Sequence, residues 1–110
     1  MSVETKQLDS GVSVVTVAGR LALGGETDRL DAAVKSLLQK DHKRIVLDIS
    51  ALDYADSSGI GMLVSCLTNV KKAGGEFKLV GANARIKRIL AMTGVDSMMS
   101  MFDTLAAATS

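Results

Sequence analysis

The sequence predicts an α/β fold: a mixed, largely parallel sheet of four to five strands with an N-terminal hairpin, covered by about four helices. Three observations carry that expectation. Short β-branched or apolar runs alternate with amphipathic stretches of helical period, the order that gives parallel strands joined by crossover helices. The run at 44–50, RIVLDIS, is nearly continuous in apolar residues, as in a strand covered on both faces. No proline, repeat or low-complexity tract marks a linker anywhere in the 110 residues, so 1–110 is expected to form one domain.

In chain order, VETKQL alternates polar and apolar residues, and DSG turns it into the β-branched run VSVVTVA, a hairpin signal. Gly24 and Gly25 lead into ETDRLDAAVKSLLQK, where Leu30, Val34, Leu37 and Leu38 share one helical face. Glu26 and Asp28 stand in its first turn, where the helix dipole favours negative charge. After RIVLDIS, residues 57–72 read as a second helix with Ile60, Leu63, Val64, Leu67 and Val70 inward, ended by Lys71, Lys72 and a glycine pair. EFKLV is the next strand. Asn83 is placed to cap a third helix that buries Ile86, Ile89 and Leu90 and stops at Gly94. MMSMF predicts a last edge strand, with Asp103 opening a short C-terminal helix.

Composition narrows the function classes. A net charge of +1 argues against nucleic acid or an anionic membrane as the main partner. With no Trp, one Tyr and two Phe, there are few platforms for stacking single strands. No segment approaches the roughly 20 apolar residues of a membrane span, and MSVETKQLDSG lacks the basic-then-apolar order of a secretory leader. One cysteine, Cys66, can neither staple the chain nor build a metal site. A cytoplasmic protein without metal or cofactor, monomeric or weakly dimeric, is expected.

Open α/β sheets place their sites beyond the C-terminal ends of strands, and LDISALDYADSSG lies at such a place. Asp48, Asp53 and Asp56 follow the buried strand, and Ser57 stands where a helix cap is expected. Two explanations fit these residues. One is purely local: a serine cap contributes about 1 kcal/mol, and glycines allow tight passage. The other is that a hydroxyl at a helix N-terminus receives a phosphoryl group, whose added charge the free amides stabilise and a docking partner senses. Gly59 and Gly61 would let that partner approach the backbone.

Other chemistry finds little support. His42 precedes the buried strand, at the opposite end of the sheet from Ser57, and neither a GxSxG elbow nor a triad is present. ALGGETD lacks the Gly-Lys-Ser/Thr ending of a phosphate loop. Arg85, Lys87 and Arg88 read as a solvated helix face, with a docking patch for an acidic partner as the lesser alternative. Met92, Met98, Met99 and Met101 read as core and edge filling, and Cys66 as a small buried hydrophobe.

Taken together, the hairpin closing on GRL, HKRIVLDISALDYADSSGIGMLV, KKAGGEFKLVGAN and RIKRILAMTGV resemble a STAS domain, specifically the stand-alone bacterial anti-sigma factor antagonists. The match runs nearly end to end, and its most specific piece is the Asp-Ser-Ser-Gly of residues 56–59. The resemblance implies a non-enzymatic partner switch. The unphosphorylated antagonist binds an anti-sigma factor that is also an ATP-dependent serine kinase, and so frees the sigma factor; phosphorylation ends that binding. Carried onto this chain, the acceptor is Ser57, with Ser58 the less favoured second candidate. The partner surface comprises Asp53, Asp56, Ser57, Ser58, Gly59, Ile60 and Gly61. The chain departs from the family at GRLALGGE, where Ala22 stands in place of the usual acidic residue; Glu26 or Asp28 are the candidates to replace it. The alternative within the same family is a non-switching subunit that binds and stabilises an ATPase of a lipid transporter, or a stress-signalling complex.

Overall fold

The computed structural model describes residues 2–22 and 25–109, with the backbone alone described at Ser2, Gly25, Glu26 and Thr27. The elements are β1 (Ser2–Gln7), β2 (Ser13–Leu21), α1 (Gly25–Gln39), β3 (Arg44–Asp48), β4 (Leu52–Ala55), α2 (Ser57–Lys72), β5 (Glu76–Val80), α3 (Ala84–Thr93), β6 (Ser100–Phe102) and α4 (Leu105–Thr109). A single 3-10 turn, Val95–Ser97, joins α3 to β6.

The sheet runs β1-β2-β3-β5-β6, with β4 added alongside β2. β1 and β2 are antiparallel and every other pairing is parallel, as the alternation of strands and helices predicts. The hairpin closes where Leu8 N–H donates to the Val12 carbonyl at 2.8 Å. Gly11 takes a φ of +87° there, a left-handed geometry that only glycine adopts without strain.

β4 is one strand more than the four to five expected. β3 pairs β2 from Ser13↔Ile45 to Thr16↔Asp48, and the chain then leaves the sheet. The Asp48 carboxylate accepts bonds from Ser50 N–H at 3.0 Å and Ser50 Oγ–H at 2.7 Å, making a local turn. The chain rejoins β2 at Gly19↔Leu52 and continues to Leu21↔Ala55, slipping register between Gly19 and Arg20. β3 and β4 are thus one interrupted strand running along β2.

Alternation along the strands divides the core. Val15, Val17, Ile45, Leu47, Phe77 and Leu79 face the helices α1, α2 and α3. Val46 and Val80 point the other way, beneath Ala108 of α4. RIVLDIS is therefore apolar on consecutive positions because both its faces are covered, and each such side chain contributes about 1.5–3 kcal/mol when fully buried.

Helix boundaries match the sequence reading with two corrections. Ser57 is not the cap of α2; that role belongs to Asp56, and Ser57 is the first helical residue. Asp103 does not open α4 either. Thr104 Oγ1 accepts from Ala107 N–H at 3.1 Å, one residue later. In both places the capping oxygen is the one whose backbone is still extended, or just ahead of the helix, when the first free amide needs a partner. Asn83 caps α3 as expected, its Oδ1 accepting from Ile86 N–H at 2.8 Å, and Gly94 ends the helix with φ +78°.

Candidate functional site

The start of α2 is fastened to the end of β2. Asp56 N–H donates to the Leu21 carbonyl at 3.2 Å, and the Asp56 carbonyl accepts the first helical bond from Ile60 N–H at 2.9 Å. Asp56 itself is extended (φ −99°, ψ −176°), which lets its carboxylate fold back to accept from Gly59 N–H at 2.9 Å. No other acid stands in the first turn of α2, so Asp56 alone opposes the positive end of the helix dipole.

The two glycines of this turn serve different ends. At Gly59 a Cβ would run into the carbonyl group of Leu21, so the close approach of helix and strand requires a residue without a side chain. At Gly61 a Cβ would meet nothing within 4 Å, and the residue is exposed. Nothing in the fold itself asks for glycine at that second position.

The expected partner surface therefore divides. Asp53, Ser57, Ser58 and Gly61 are exposed, and Asp56 is half-buried with its cap bond made. Gly59 is buried against β2, and Ile60, 4% exposed, is driven into the core. Those two residues lie beneath the exposed ones and fix the start of α2 against the sheet. Ser57 and Ser58 occupy the first two helical positions, with their hydroxyls at the helix end where backbone amides lack helical acceptors.

Two neighbours were not legible as part of this site. Arg20 lies opposite Tyr54 in the β2–β4 register, and its guanidinium sits 4.9 Å from the ring centroid, a cation–π contact. Tyr54 stands between Asp53 and Asp56 in the chain, so the contact brings the Arg20 cation to this end of the sheet. Only the pairing of β4 with β2 brings them together, and ALDYA carries no strand signal that would have announced it.

The remaining candidates fall elsewhere. Ala22 is half-buried just after β2, beside the start of the site. Gly24 and the Glu26 side chain lie outside the described residues, and Asp28 is exposed on α1. His42 precedes β3, whereas Ser57 follows β4, so the length of the interrupted strand separates them. Cys66 is fully buried on α2, and burial pushes its thiol up to about 12. Among the described residues no group of His, Cys, Asp or Glu could hold a metal ion, and no helix is long and apolar enough to cross a membrane.

The site is thus one end of an α/β sheet, with a capped helix start, two exposed serines and an exposed glycine whose Cβ position is open. The family model described as STAS domain matches residues 3–108, and the chain belongs to that family. A TM1081 homologue from Thermotoga neapolitana is 35% identical over 71 residues, covering 64% of this chain and 63% of that protein. The aligned part of the chain thus spans less than two thirds of that relative's length. The anti-sigma F factor antagonist of Paenibacillus polymyxa is 28% identical over 94 residues, covering 84% of this chain and 80% of that one. The crystal structure of an anti-sigma factor antagonist from Mycobacterium paratuberculosis superposes with a TM-score of 0.83 at 27% identity, covering 98% of this chain and 90% of that one.

Proposed function

We propose that this chain is an anti-sigma factor antagonist controlled at Ser57. In its unphosphorylated form it binds a cognate anti-sigma factor with serine kinase activity, releasing the sigma factor; the kinase then phosphorylates Ser57 and ends the association. The observation that carries this reading is the exposed Ser57 hydroxyl at the first position of α2, on a turn pinned to β2 by Asp56 and Gly59. A phosphoryl acceptor must be reachable and held in register, and this turn provides both. Ser58 and Gly61 supply accessible backbone around it, and Asp53 and Asp56 supply negative charge that a phosphoryl group would reinforce. The chain needs no cofactor of its own in this scheme, because ATP arrives on the partner. The relatives named as antagonists of anti-sigma factors support the choice of partner class.

The test is incubation with the cognate kinase and ATP, followed by mass spectrometry of the wild type, Ser57→Ala and Ser58→Ala. Phosphate on the wild type and on Ser58→Ala, but not on Ser57→Ala, is the expected pattern. An unmodified wild type that still binds its partner, with Ser57→Asp binding equally well, would move the protein to a non-switching role as a stabilising subunit.

A further inference from the structure

Strand β1 ends the sheet, pairing with β2 on one side only among the described residues. Such an edge presents a row of unpaired backbone donors and acceptors, which proteins normally guard. We infer that this edge is a self-association surface: two copies of the chain pair their β1 strands antiparallel about Thr5, with Glu4 of each copy opposite Lys6 of the other.

The pattern of side chains selects that arrangement. Val3 packs onto the core beneath the helices, so Thr5 and Gln7 share its face while Glu4 and Lys6 point to the opposite one. Glu4, Thr5, Lys6 and Gln7 are all exposed, and among the described residues neither Glu4 nor Lys6 enters an ion pair. A two-fold axis through Thr5, perpendicular to the sheet, sets Val3 against Gln7, Thr5 against itself and Glu4 against Lys6. Residues directly opposite in an antiparallel pair share a face, so both copies keep their helices on one side of a continuous sheet. Unlike charges so placed stabilise the pair, as does a Thr–Thr contact. Moving the axis to Glu4 or to Lys6 sets like charges against each other, and a shift to a point between residues turns one copy's core face to the wrong side.

Edge charges guard against an identical strand when pairing brings like charges together. Here the two charges are opposite and two residues apart, the spacing that becomes complementary when the strand meets its own inverted copy. β6, the other end of the sheet, offers no equivalent. It has only three residues, and the Asp103 that follows it is held by Lys87 at 3.2 Å. β1 pairs with residues 13–18 of β2, away from the stretch that carries β4, so dimerisation leaves the Ser57 turn uncovered and joins two such turns in one assembly.

Sedimentation of the full chain over a concentration series up to about 1 mM, a weak but measurable range, tests this directly. The wild type should associate with increasing concentration. Glu4→Lys and Lys6→Glu, each converting both unlike contacts to like ones, should weaken association by about tenfold or more. An equimolar mixture of the two variants should regain association, to about half the wild-type extent at low occupancy because only unlike copies pair, and the double exchange E4K/K6E should regain it in full. Restored association also shows that the variants are folded; where a single reversal does not fold, the double exchange, which keeps the charge sum, decides. A wild type that stays monomeric throughout, single reversals that associate as the wild type does, or a mixture and a double exchange that both fail to restore association would overturn the inference.

Discussion

Gly59 and Gly61 lie two residues apart in one helix, and replacing each by alanine should move stability in opposite directions. Alanine is preferred over glycine inside a helix by about 1 kcal/mol, a gain open to both positions. At Gly61 nothing opposes it, because the new methyl group enters open space. Gly61→Ala should therefore stabilise the protein by about 0.5–1 kcal/mol and raise Tm by roughly 3–6 °C for a domain of this size. At Gly59 the methyl group meets the Leu21 carbonyl, and backbone cannot swing aside as a side chain does. The start of α2 must lift from β2, at a packing cost of about 1–3 kcal/mol. That movement also stretches the bond between Asp56 N–H and the Leu21 carbonyl, already 3.2 Å, worth about 1 kcal/mol. After subtracting the propensity gain, a net loss of about 1–3 kcal/mol remains for Gly59→Ala. Urea denaturation of the two variants beside the wild type reads both signs from the midpoint. A Gly59→Ala protein as stable as the wild type would refute the close-approach argument, and a destabilised Gly61→Ala would show that this position has a structural duty the geometry does not reveal.

Other substitutions probe the supports of the same surface. Asp56→Ala removes the side chain that accepts from Gly59 N–H and should cost about 1 kcal/mol, whereas Asp56→Asn, which can still cap, should cost less; thermal melts separate the two. Asn83→Ala loses a cap to Ile86 N–H and also the 3.1 Å bond from Nδ2–H to the Leu52 carbonyl that ties α3 to β4, so a loss of about 1–2 kcal/mol is expected in urea. Cys66 should make stability pH-dependent in alkali. Its folded thiol is pushed up to about 12 from an ordinary 9.0, so above 9.0 the unfolded chain ionises first and stability falls as pH rises towards the folded value. The slope approaches about 1.4 kcal/mol per pH unit at most, and Cys66→Ala should lack it; parallel slopes for both proteins between pH 9 and 11 would contradict that assignment.

The helices were legible in the sequence because each buries a single stripe. Leu30, Val34 and Leu37 of α1 and Leu63, Leu67 and Val70 of α2 recur at helical spacing and all lie within the core. β3 was legible for a different reason, its apolar residues being consecutive because both faces are covered. β4 was not, since Leu52–Ala55 is only four residues long and follows directly on a turn that Asp48 and Ser50 make with their own backbone. What identifies β4 is its pairing with Gly19–Leu21, far earlier in the chain, and no local period records such a pairing. The same gap hid Arg20 and Tyr54 from the site. It also misassigned the cap: once β4 extends to Ala55, the next residue, Asp56, is the last with extended backbone, and the cap falls on it in place of Ser57.

That displacement of the cap bears on how a switch at Ser57 would work. A capping serine whose hydroxyl is committed to a first-turn amide would lose that bond on phosphorylation, so its modification would perturb the helix. With Asp56 as the cap, Gly59 N–H is already satisfied, and Ser57 is released from any duty to the fold. The cost of adding charge is then set by solvent-exposed electrostatics. Two charges about 6 Å apart in water repel by about 0.7 kcal/mol, so a doubly charged phosphoryl group beside Asp56 costs about 1.4 kcal/mol before salt screening and the favourable helix dipole reduce it. A domain tolerates that. A partner burying the same surface must instead strip water from the phosphoryl group, at an effective penalty of several kcal/mol unless it supplies a matching cation. Phosphorylation should therefore leave the melting temperature within a few degrees of the unmodified protein while weakening partner binding by two orders of magnitude or more. Thermal melts and titration calorimetry on the same phosphorylated sample measure both quantities. A large loss of Tm would show that Ser57 holds the helix after all, and unchanged affinity would show that the partner does not bury it.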